Sequence, residues 1–158
     1  MKLIFSLITA VLLFFQSGLE SLRESYAKAN LSNSNTEAFI NTAEKTSGSD
    51  AVILGYKAAA KIMEAKITKQ NRKALVKAGA TSLETLVKNN PNNIELRVIR
   101  MSVQENIPKI VGYRGSLKED KNFILNNYSK QNGTLKSYVK RFAAQSKTMT
   151  EAEKATLK

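Results

Sequence analysis

An all-α fold is predicted by three observations. Apolar residues recur at offsets of three and four from Leu19 onward, helix-start signals stand ahead of these runs, and Pro or Asn/Gly breaks separate them. Offsets of three and four gather side chains on one face of a helix, whereas a strand would send alternate residues to opposite faces. The expected architecture is a set of antiparallel helical hairpins, either regularly stacked or packed as an irregular bundle.

The chain opens with Met1-Lys2, then an apolar-rich stretch from Leu3 to Phe15, then Gln16, Ser17 and Gly18. A positive start, a short apolar core and small residues behind it read as a secretory signal peptide over residues 1–18. The stretch is shorter than the roughly 20 residues a membrane-spanning helix needs. The remaining 19–158 would form a single helical domain, exported to the periplasm or secreted, with 147–158 a charged tail free to fray.

Within that domain Leu19, Leu22 and Tyr26 mark a first helix, closed by an Asn/Ser-rich break from Asn30 to Asn35. Ser34 and Glu37 have capping-box spacing ahead of Ala38, Phe39 and Ala43. Asp50 is placed to cap the next helix, whose Ile53, Tyr56, Ala60, Met63 and Ile67 form the clearest stripe. Its partner runs from about Asn71 to Lys88 and carries Leu75, Gly79, Leu83 and Leu86. Ala78-Gly79-Ala80 allows close backbone approach, and Pro91 stops the helix.

From Ile94 to Glu105 a helix would have two apolar faces, one of Ile94, Val98 and Met101 and one of Leu96, Ile99 and Val103. Such a helix needs neighbours on both sides. A strand is the rival reading, since Ile94, Leu96 and Val98 also alternate; the Arg, Met, Gln and Glu content favours the helix. Pro108 ends it, and Gly112 and Gly115 bracket a loop. Ser116 and Glu119 form a capping box before Leu117, Phe123, Ile124 and Tyr128. Asn132-Gly133 makes a turn before Leu135, Tyr138, Val139 and Phe142, and Thr150 and Glu153 form a last capping box.

Composition limits the chemistry. The 158 residues include neither Cys nor His, so disulfides, thiolate or imidazole metal sites, cysteine nucleophiles and Ser-His-Asp triads are excluded. Catalysis would fall to Glu, Lys or Tyr with shifted pKa values, and no paired arrangement of these stands out. The chain is read as non-enzymatic, without cofactor or metal. Its 25 Lys and Arg against 13 Asp and Glu give a formal charge of +12, a field that favours anionic partners.

Tyr56-x-x-Ala59-Ala60-x-x-Met63, with Gly79 and Leu83 ahead of Pro91 and the following Ile94-Glu95-Leu96-Arg97, resembles a tetratricopeptide repeat and the start of the next. Leu86 departs from the small residue the pattern wants, and the aromatic-to-proline distance is about seven residues too long for the family's roughly 34-residue period. The resemblance covers some 50 residues. It implies stacked helical hairpins with a groove that holds peptides or partner proteins.

Two candidate sites follow. Arg97, Arg100 and Gln104 line one strip of the two-faced helix, next to the loop residues Tyr113 and Arg114. Arginines grip carboxylate or phosphate bidentately, so the strip would hold an anion; as ordinary interhelical residues the arginines would meet Glu95 or Glu105. Lys66, Lys69, Arg72, Lys73 and Lys77 concentrate positive charge around a helix turn without aromatics suited to base stacking. No nucleic-acid recognition motif occurs. The expected role is a protein- or peptide-binding module of the cell envelope, and the alternative is a binder of anionic envelope material such as lipid, lipopolysaccharide or nucleic acid.

Overall fold

The computed structural model describes residues 18–157, and every regular element among them is helical. The signal-peptide reading, Gly18 apart, falls on residues outside that range. Helix α1 comprises residues 18–28. It is followed by α2 (Asn33–Lys45), α3 (Ala51–Ile67), α4 (Arg72–Asn89), α5 (Ile94–Asn106), α6 (Leu117–Asn127), α7 (Gly133–Gln145) and the short α8 (Glu151–Ala155). Single 3-10 turns occupy Lys109–Val111 and Tyr128–Lys130.

The helix starts follow local chemistry, because the first amides of a helix lack intrahelical partners and take side-chain acceptors. Asp50 accepts from the Val52 amide at 2.8 Å, Asn93 from Leu96 at 3.0 Å and Asn132 from Leu135 at 2.9 Å. Thr150 and Glu153 complete the predicted reciprocal capping box. Two predicted boxes differ. Helix α2 starts at Asn33 with Ser32 as its cap, which leaves Ser34 inside the first turn. Neither half of the box forms at Ser116: with φ of −97° and ψ of 1° its side chain makes no cap, its amide donates to Gln104 instead of Glu119, and Glu119 is held by the guanidinium of Arg97.

Two helices form the core. Helix α3 packs against α2, α4 and α5, and α5 packs against α3, α4, α6 and α7. The rings of Tyr26, Phe39 and Tyr56 meet where α1, α2 and α3 join, with centroids 5.0 Å apart for Tyr26–Phe39 and 5.4 Å for Tyr26–Tyr56. The α3–α4 pair approaches closely at Gly79, where a Cβ would lie 2.6 Å from the carbonyl oxygen of Ala58. Helix α5 is buried at every position from Ile94 to Glu105, polar residues included. Two apolar faces therefore understate its enclosure. At the C-terminus Met149 and Leu157 are buried and Lys121 pairs with Glu153 at 2.7 Å, which ties the last turn to the bundle.

Candidate functional site

The arginine strip of α5 faces inward. Arg97 and Arg100 are 8% and 4% exposed and converge on Asp120 of α6, whose side chain is fully buried. Arg100 grips both Asp120 oxygens, with Nε 2.7 Å from Oδ2 and Nη2 2.6 Å from Oδ1, and donates a third bond to Glu84 at 2.6 Å. Arg97 bonds Glu119 and Asp120 and lies over the ring of Phe123, 4.8 Å from its centroid. The buried Nε of Arg97 has no acceptor. Gln104 accepts from the Ser116 amide at 3.0 Å.

The loop residues are engaged in the same way. The Tyr113 hydroxyl donates to Glu84 at 2.8 Å, and burial together with that bond pushes the phenol above its usual range. Arg114 donates to the carbonyls of Glu105 and Ile107, filling acceptors left open at the end of α5. The structure thus brings all five residues of the strip together around α5. Their polar groups hold α4, α5 and α6 in register. The acids involved are Glu84, Glu119 and Asp120, while Glu95 and Glu105 serve elsewhere.

Glu95 anchors a second buried network that the sequence did not single out. Arg23 of α1 grips it with Nε at 2.8 Å and Nη2 at 2.7 Å, and Tyr56 of α3 donates to its Oε1 at 2.8 Å. The Tyr138 hydroxyl of α7 lies 2.7 Å from that of Tyr56. Burial, with the Glu95 carboxylate, drives both phenols well above their usual range. Tyr56 and Tyr138 occupy core positions, as their stripes predict, and also link four helices through one carboxylate. The signal for this was faint: a carboxylate inside the apolar run of α5.

The basic residues of the patch flank the turn between α3 and α4. Lys66, Lys69, Arg72, Lys73 and Lys77 are all exposed, and among the described residues none comes within ion-pair range of an acid. Asn71, in the left-handed conformation with φ of 56°, makes the tight turn that brings the end of α3 round to the start of α4.

An open groove runs along α3 between α2 and α4, with a volume of about 760 Å³. Ile40, Ala43, Leu54, Ala58 and Leu86 give it apolar surface, Glu44, Lys57, Lys61 and Glu64 supply charges of both signs, and Thr81, Ser82 and Thr85 supply hydroxyls. Leu54 is 37% exposed there. It sits off the Ile53–Tyr56–Ala60–Met63 stripe, and this displacement was the available signal for the groove. Among the described residues no three acidic side chains gather to hold a metal ion, and no helix is long and apolar enough to cross a membrane. No protein-family model, curated protein or solved structure matches the chain.

Proposed function

We propose that this is a non-enzymatic, exported protein whose helical hairpins hold a peptide segment of a partner protein in the groove over α3. The observation that carries the reading is the groove's composition: a half-exposed Leu54 and other apolar positions flanked by charges of both signs and by hydroxyls. Such a lining suits a segment with apolar anchors and a charged flank. The tetratricopeptide-like positions give it a consistent framework, since Tyr56, Ala59, Ala60, Met63, Gly79 and Leu83 all lie in the buried contact between and beneath the hairpin helices. Export rests on the Leu3–Phe15 stretch and its flanks. In this reading the two arginine networks are scaffold.

A photo-crosslinking residue placed at position 54, compared with one at the exposed Lys130, tests the site in the native compartment. A partner captured from position 54 but not from 130, and lost in a Lys57→Glu/Lys61→Glu variant that melts normally, is the expected result. Equal capture at both positions, or none at 54 in correctly located protein, refutes the groove as the binding surface.

A further inference from the structure

The helix directions gather three turns at one end of the bundle. Arg23 pairs with Glu95 and the Tyr26 hydroxyl reaches the Ile99 carbonyl, so α1 runs alongside α5 in the same direction. Gly55 abuts Leu83 while Gly79 abuts Ala58 and Ile62, so α4 opposes α3. Arg100 meets Glu84 while Arg97 reaches the Pro91 carbonyl, so α5 opposes α4. The turns after α1, α3 and α5 therefore leave the bundle on the same side.

That end concentrates two features. Leu31 is 73% exposed in the turn after α1, and Ile110 and Val111 are 96% and 41% exposed in the turn after α5. Among the described residues the remaining exposed large hydrophobic side chain, Leu54, lies in the groove. Isolated exposed hydrophobics are ordinary; three on turns that share one end, two of them consecutive, form a pattern. At the same end the α3–α4 turn presents Lys66, Lys69, Arg72 and Lys73, and Lys109 adjoins Ile110. The nearby Glu105 gives no compensation, because its carboxylate is turned inward to Ser146 and the Thr148 amide.

Protruding aliphatic tips beside basic residues that outnumber the acids of the same end, Glu64 in the last turn of α3 and Glu37 near the start of α2, match the interface of an anionic bilayer, where aliphatic groups enter the acyl boundary and cations meet phosphates. Single-stranded nucleic acid would call for exposed aromatic platforms; Tyr113, the aromatic residue of the α5–α6 turn, is held by Glu84. We propose that this end of the bundle docks on an anionic lipid surface, with Leu31, Ile110 and Val111 as shallow insertions and the α3–α4 turn on the headgroups. The surface is separate from the groove over α3.

The test uses the protein as recovered from its host, its amino terminus read by mass spectrometry, in co-sedimentation with vesicles. One set is pure phosphatidylcholine and the other equal parts phosphatidylcholine and phosphatidylglycerol. Binding to the mixed vesicles, weakened by salt, is expected. A Lys69→Gln/Arg72→Gln/Lys73→Gln variant loses affinity about a hundredfold and Ile110→Ser about tenfold, each with unchanged circular dichroism. An apolar amino-terminal stretch, if retained, would bind both vesicle types and leave the variants indistinguishable from the parent, which overturns the proposal. Equal binding to neutral vesicles also overturns it. So does a polyanion-only result, in which an oligonucleotide binds as tightly as the mixed vesicles and Ile110→Ser changes nothing.

Discussion

Raising the pH past 10 should unfold this protein cooperatively, and the slope follows from its buried phenols. Tyr26, Tyr56 and Tyr138 are 7%, 0% and 5% exposed, and burial pushes each above the ordinary tyrosine value of 10.0. Above that value the unfolded chain releases the protons of these three and of Tyr113, which the folded chain retains, so folding stability falls as pH rises. Each group contributes about 1.4 kcal/mol per pH unit, so four together give a slope of about 5.5 kcal/mol per unit. A domain holding about 10 kcal/mol at neutral pH would reach its midpoint at about pH 12. With neither His nor Cys in the chain, no side chain of ordinary pKa titrates between the carboxylates and pH 10, and stability should be flat from about pH 6 to 9. Tyrosinate absorbance and circular dichroism followed on one sample would show a shared transition. In Tyr56→Phe the slope should drop by about one quarter. Independent titration of every tyrosine near pH 10 with helicity intact would refute the reasoning.

On the acid side, hydrogen bonds from Arg97 and Arg141 hold Glu119 and Glu24 below the usual 4.5. Their contribution is present above the unfolded value and is lost as pH falls through the lower folded one, so urea midpoints should decline below about pH 4.5 and more steeply at low salt. Asp120→Ala removes the buried carboxylate that two guanidiniums share, leaving Arg97 with Glu119 and Arg100 with Glu84, and should cost about 3 kcal/mol, a melting shift of roughly 10 °C; a shift of a degree or two would mean that water has replaced the carboxylate. Gly79→Ala gains about 1 kcal/mol of helix propensity but sets a methyl group against the Ala58 carbonyl. A net loss of about 1–3 kcal/mol in chemical denaturation is expected, and a stabilised variant would show that the α3–α4 contact can open.

The helices were legible because their signals are local. Offsets of three and four, Asp50, Pro91 and the Thr150–Glu153 pair each act within a few residues, and each does so in the structure. Where local signals compete with distant ones, the reading slipped. Ser116 and Glu119 have capping-box spacing, yet Glu119 is taken by Arg97, 22 residues earlier in the chain. The arginine strip was found, but its partners were not, because Asp120 and Glu84 become neighbours of α5 only when α4 and α6 fold against it. Arg23 and Tyr138 are 115 residues apart, and nothing in their local sequence tells that both gather around Glu95.

The same networks explain why the net charge is a property of the surface. Four of the six arginines, Arg23, Arg97, Arg100 and Arg141, hold carboxylates, whereas among the described lysines Lys121 and Lys154 do so. A guanidinium is planar, weakly hydrated and offers several donors, so it enters the interior with a carboxylate more readily than an ammonium does. The pairing sets Glu84, Glu95, Glu119 and Asp120 against Arg23, Arg97 and Arg100, so that charges of both signs are nearly cancelled within the networks. An interior built on arginine–carboxylate contacts cancels charge in pairs and leaves the net charge of +12 to a lysine-rich exterior, so an anionic partner would meet that field before it met any particular site.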